Sequence, residues 1–159
     1  MNKCTCQSPL GTLTLVATRT HLKGICFEGR EKATWKDQSV DKENAVLRET
    51  KKQLQQYFNG QRKIFNLPLQ PDGTVFQQHV WQALLHIPFG QTASYSHIAR
   101  AIDNPKAVRA VGAANGRNPI PIVIPCHRII GKGGALTGYA GGLSRKEWLL
   151  DHEKGDARH

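Results

Sequence analysis

Three prolines, Pro119, Pro121 and Pro125, fall within the apolar run Asn118-Pro119-Ile120-Pro121-Ile122-Val123-Ile124-Pro125, and they constrain the fold more than any other feature of the chain. Proline fixes φ, lacks an N–H and pushes its predecessor out of the helical region, so this run is predicted to be extended. Cys126 and His127 stand at its inner end, before the glycine-rich turn Gly131-Lys132-Gly133-Gly134. A free cysteine in apolar surroundings is commonly an inert packing residue. An adjoining imidazole offers a second reading, because a base can hold sulfur as the thiolate, its nucleophilic form. The pair by itself leaves both open.

Around this segment the pattern divides into two halves. Thr12 to Ala17 alternates small polar with apolar residues, as a half-buried strand does, and Leu22 to Phe27 is predicted to pair with it. Residues 28 to 43 are polar, without a clear period, and read as a surface segment. Leu47, Thr50, Leu54, Tyr57 and Phe58 share one helical face, and Asn59-Gly60 closes that helix. Leu67-Pro68-Leu69-Gln70-Pro71-Asp72-Gly73 reads as a linker, giving domains over 1–73 and 74–159.

The second half opens with a predicted helix over 75–85, with Phe76, Val80, Trp81, Leu84 and Leu85 inward. Ser94 is placed to cap a helix over 95–102, and Asn104-Pro105 to start another reaching about Gly116. Two short helices joined by a tight turn suggest a helix-turn-helix. The second carries Ala107, Ala110 and Ala114 along one stripe with Gly112 beside it. Such a face has no donors for reading base edges. It suits either tight helix packing or close approach to DNA of any sequence. Ser144-Arg145-Lys146-Glu147 reads as a capping box that starts the last helix, 145 to about 152.

Charge supplies the partner class. The chain has 22 basic and 12 acidic side chains, a formal net charge of +10, which favours a polyanion. The two halves carry the same excess, so counting does not assign the contact to either. No apolar run reaches membrane-spanning length and no secretory stretch opens the chain, so a cytoplasmic protein with reduced thiols is expected. Cys4, Cys6, His21 and Cys26 form a poor metal-site pattern, because Cys-x-Cys is too tight and no second pair follows.

Pro125-Cys126-His127-Arg128, the preceding Asn118-Pro119-Ile120-Pro121 and the following Gly138-Tyr139-Ala140-Gly141-Gly142 together resemble the signature of the O6-alkylguanine-DNA alkyltransferases, the methylated-DNA–protein-cysteine methyltransferases, in their bacterial form. The likeness runs from Phe76-Gln77-Gln78-His79-Val80-Trp81 through Gly90-Gln91-Thr92-Ala93-Ser94-Tyr95 and 104–112 to Arg145–Glu153, and more loosely over Ser8–Gly11 and Leu54–Gly60. It implies an α/β (α+β) fold: an N-terminal ribonuclease H-like domain of a small β-sheet with a helix, and a mostly helical C-terminal domain with a helix-turn-helix. It also implies an enzyme of DNA repair that moves the alkyl group of O6-alkylguanine, and of O4-alkylthymine, onto its own cysteine once, without cofactor or metal.

The resemblance assigns roles residue by residue. Cys126 is the nucleophile, His127 the base acting through a water, and Glu153 the group that orients it. Tyr95 donates to the departing base, and Asn118 braces the hinge beside the cysteine. Arg109 would take the place of the extruded nucleotide, with Ala107, Ala110, Gly112 and Arg128 also at the DNA. The pocket would be walled by Tyr139, Ala140, Ile129 and Pro121, with the carbonyls of Cys126 and Ile129 accepting from the guanine amino group. Double-stranded DNA is bound through its minor groove by a monomer, with no membrane partner. Two other classes compete: a cysteine hydrolase, whose nucleophile normally starts a helix, and a sequence-specific regulator, which would show a preferred site.

Overall fold

A computed structural model describes residues 1–139 and 141–155, with the side chains of residues 33, 34 and 37 left aside. It divides into two compact units, Met1–Asp72 and Gly73–His159.

The first unit is a four-stranded sheet in the order β3-β2-β1-β4, with β1 Asn2–Ser8, β2 Gly11–Ala17, β3 Leu22–Phe27 and β4 Val40–Asp41. β1 and β2 form a hairpin; Ser8 Oγ donates to the Gly11 carbonyl and accepts from Leu10 N. Gly11, at φ 100°, supplies the left-handed turn. α2 Ala45–Phe58 packs against β1, β2 and β3 through Leu47, Thr50, Gln53, Leu54 and Tyr57. Asn44 caps it, its side chain accepting from Leu47 N.

Every residue of β3 is buried, which one helix cannot achieve. The other face is covered by Trp35 of a short helix, α1 Ala33–Gln38, in the stretch expected to be plain surface. A Cβ on Gly24 would lie 2.1 Å from the Trp35 ring, so the indole lies directly on the β3 backbone. Phe58 is only half-buried. The segment expected as a linker is stitched to this unit. Leu22 N donates to Pro68 O, Gln70 N donates to Leu22 O, and buried Gln53 exchanges two hydrogen bonds with the Asn66 backbone.

In the second unit α3 Val75–Leu84 starts from a reciprocal capping box between Thr74 and Gln77. It buries Val80, Trp81 and Leu84, while Leu85, expected inward, is 46% exposed. Trp81 Nε1 donates to the Ala114 carbonyl and so pins α3 to the helix over Val108–Gly116, α5. Ser94 caps α4 Tyr95–Ala101 as expected. α5 spans Val108–Gly116, starting later than expected, because Asn104-Pro105 is spent on the turn between the two helices. β5 Ala93–Ser94 pairs in parallel with β6 Ile129–Ile130. α6 Leu143–Glu153 follows Gly142, at φ 93°, with no side-chain cap, and Ser144 lies inside the helix rather than capping it. The architecture is the α+β one that the resemblance implies. No helix among the described residues is long and apolar enough to cross a membrane.

Candidate active site

The proline-rich run is not extended. Residues 121–123 form a turn, with Ile122 in the left-handed region at φ 75°. Ile124 N donates to Ile120 O, and Cys126 N reaches back to Ile124 O around Pro125, whose φ of −80° and ψ of 63° make an inverse γ-turn. Proline's fixed φ suits a tight turn as well as an extended strand, and the buried Asn118 side chain decides for the turn. It donates from Nδ2 to Ile124 O (2.8 Å) and accepts from Ile120 N (3.0 Å). Pro121 is buried in this turn.

Cys126 therefore opens a single 3-10 turn, Cys126–Arg128, rather than ending a strand. β6 continues from that turn, and its pairing with β5 brings the cysteine segment to the start of α4, where Tyr95 stands. Asn115 of α5, which the sequence reading did not select, donates to the Cys126 carbonyl at 3.4 Å.

From the residue after Cys126 begins a buried polar array. The Glu153 carboxylate, at the end of α6, accepts hydrogen bonds on both oxygens. His127 Nε2 (2.7 Å) and an Arg128 terminal nitrogen (3.0 Å) reach Oε2; Arg128 Nε (2.8 Å) and Gly90 N (3.3 Å) reach Oε1. Arg128 also donates to the Ile87 carbonyl and lies 5.9 Å from the centre of the Phe89 ring. Its expected place at the DNA is thus corrected. The guanidinium is buried, and its planar fork serves the carboxylate.

Protonation states follow from this packing. Burial by itself would raise the Glu153 carboxyl. Hydrogen bonds and charge from His127 and Arg128 outweigh it and hold Glu153 well below the carboxylate range. Burial lowers His127, against the pull of Glu153, so the imidazole is neutral at rest. An anionic acceptor at Nε2 puts the ring hydrogen there, leaving Nδ1 as the basic atom. Nδ1 is buried and without a hydrogen-bond partner among the described residues.

Burial also pushes the Cys126 thiol up to about 11, opposed by hydrogen bonds from Asn118 and Tyr139 and by the charge of Lys146. The resting form is a thiol followed by a neutral imidazole, so of the two readings that the pair left open the thiolate is not the resting one. The Lys146 ammonium is buried and donates to Ile129 O (2.5 Å) and Thr137 O (3.3 Å). A carbonyl has two lone pairs, so Ile129 O keeps one acceptor site.

Of the other expected residues, Tyr95 and Tyr139 are half-buried, and Ala140 lies outside the described residues. Arg109 and Ala110 are exposed on α5, Ala107 is half-buried just before it, and Gly112 runs against the Tyr95 ring. Ala114 leaves the expected stripe, since it is buried under Trp81, and Ala113 takes its place on the open face.

The profile described as "6-O-methylguanine DNA methyltransferase, DNA binding domain" matches residues 75–155, and the "ribonuclease-like domain" of the same methyltransferase matches residues 1–71. The constitutive methylated-DNA–protein-cysteine methyltransferase of Bacillus subtilis is 48% identical over 154 residues, covering 94% of this chain and 93% of its own. That of Methanosarcina acetivorans is 49% identical over 148 residues, covering 92% and 94%. The crystal structure of Mycobacterium tuberculosis OGT in complex with DNA superposes with a TM-score of 0.91 at 43% identity, covering 99% of this chain and 96% of that one.

Proposed function

The chain belongs to the 6-O-methylguanine DNA methyltransferase family, and on that premise we propose that Cys126 receives the alkyl carbon of O6-alkylguanine, and of O4-alkylthymine, from duplex DNA and keeps it. The observation that carries this reading is the buried thiol adjoining an imidazole with one nitrogen locked by Glu153 and the other unpartnered.

His127 Nδ1 takes the thiol proton through a water, and Glu153 stabilises the imidazolium that results. The Sγ–C bond forms as the C–O6 bond breaks, and the electron pair stays on the base, which takes a proton from Tyr95. The product is a thioether, and no group at the site can hydrolyse it. Each molecule is therefore consumed by one transfer. The energetics suit an enclosed site: an array that must not relax during reaction works best where water is excluded.

Reaching a base inside the duplex requires extruding its nucleotide, at a cost on the order of a few kcal/mol. Arg109, exposed on α5, fills the vacated stack, while Ala107, Ala110 and Gly112 let the helix approach the minor groove closely. Tyr139, Ile129, Pro121 and the backbone at Ala140 wall the pocket, and Asn118 braces its floor. The protein acts as a monomer.

Incubation with an O6-methylguanine duplex, followed by intact-mass measurement and peptide mapping, is expected to show one added methyl group on Cys126. A protein recovered unmodified after the lesion has gone, or modified at Cys4, Cys6 or Cys26, would overturn the reading. Persistence of the adduct also separates it from a cysteine hydrolase.

A further inference from the structure

We propose that Thr137 is a positioning residue for Tyr95: braced by Lys146, it gives its own hydroxyl hydrogen to the phenol oxygen and leaves the phenolic hydrogen for the departing base. The proposal rests on the alkyl-transfer reading and deepens it.

Tyr95 Oη and Thr137 Oγ1 are hydrogen-bonded, and the geometry allows either to donate. Lys146 biases the direction. Its ammonium can only donate, and its three hydrogens meet three acceptors: Ile129 O (2.5 Å), Thr137 O (3.3 Å) and Thr137 Oγ1 (3.5 Å). Were Tyr95 also to donate to Oγ1, the threonine hydrogen would need a further acceptor, and none bonds Oγ1 among the described residues.

The rotamer is fixed from the other side. A Cβ on Gly131 would lie 2.8 Å from Thr137 Cγ2, so the methyl group is seated against that glycine and the hydroxyl turns to Tyr95. The Tyr95 ring rests along Gly112 of α5, where an added Cβ would lie 3.6 Å from Cε1. The ring is thus placed by the helix proposed to approach DNA, and its hydroxyl by Thr137. When the base leaves with the bonding pair, it takes one proton from Oη. The phenolate formed is stabilised by the Thr137 hydroxyl, which Lys146 polarises, until water returns the proton.

Single-turnover transfer is to be measured by intact mass for the full chain and for Thr137→Val and Thr137→Ser. The donors are a methylated duplex and iodomethane, whose iodide leaves without needing a proton. Thr137→Val is expected to slow transfer from DNA about tenfold while changing the iodomethane rate by less than about twofold, and Thr137→Ser to restore it. In a Tyr95→Phe background Thr137→Val should add nothing, since the two act as one unit.

Equal slowing with both donors would reduce Thr137 to shaping the pocket and overturn the proposal. So would an unaffected Thr137→Val, or losses that add in the double variant. If the parent protein itself takes no methyl group from the duplex, the alkyl-transfer reading falls first.

Discussion

Cys26 and Cys126 invite comparison because burial treats them alike. Each is under 10% exposed, and burial drives each thiol up to about 11. Their neighbours differ. Cys26 packs with Val16 and Trp35; the Lys32 backbone N–H and ammonium oppose its burial, while the nearby Glu31 carboxylate raises its thiol further. Cys126 is opposed by Asn118, Tyr139 and Lys146, all of which favour the thiolate, and its chain neighbour is a locked imidazole. Burial alone therefore does not mark a nucleophile. What sets the proposed nucleophile apart is its chain neighbour, an imidazole locked by a carboxylate and able to take the proton that burial holds on the sulfur.

The sharpest way to break this comparison is substitution of each sulfur. Cys126→Ala should abolish methyl transfer while leaving DNA binding intact, and Cys26→Ala should transfer at the parental rate; gel shift and intact mass check both. Glu153→Gln should come next. It leaves Arg128 with a buried charge that has lost its anion, which costs about 3 kcal/mol in urea unfolding, and it removes the group that orients His127, slowing transfer about a hundredfold.

Alkaline unfolding tests the likeness instead. Each thiol is a weaker acid folded than unfolded, so the stability it supports is complete below pH 9.0 and lost as pH rises toward 11. Two pH units correspond to about 3 kcal/mol per sulfur. The parent should therefore lose stability relative to either alanine variant across that window. A loss confined to one sulfur would mean that burial does not treat them alike. The smallest expected effect separates the chemistry of Cys126 from delivery of its substrate. Arg109→Ala should slow transfer from duplex about tenfold and from the free alkylated base less than about twofold. Equal slowing would place Arg109 in the chemistry.

Some of this was legible in local sequence. Ser94 caps the helix it was expected to cap, because a cap is decided within four residues. The alternation of β2 and the helical face of Leu47, Thr50, Leu54 and Tyr57 appear as read. The misreadings share a cause. Trp35 lies in a polar stretch whose period says nothing, and only Gly24 across the sheet explains its burial. Arg128 is expected at the DNA until Glu153, 25 positions later, is brought against it. Neither Thr137 nor Lys146 is picked out for the site until the Cys126 segment, α4 and α6 converge.

The sequence by itself determined the family, because its motifs are residue types at fixed spacing, and it brought forward Cys126, His127 and Glu153, on which the proposed transfer rests. Only the tertiary structure decided that Cys126 rests as a thiol, that His127 rests neutral, and that Arg128 turns inward. Proton affinity and side-chain direction depend on what surrounds a group in space, and those surroundings come from parts of the chain that spacing does not connect.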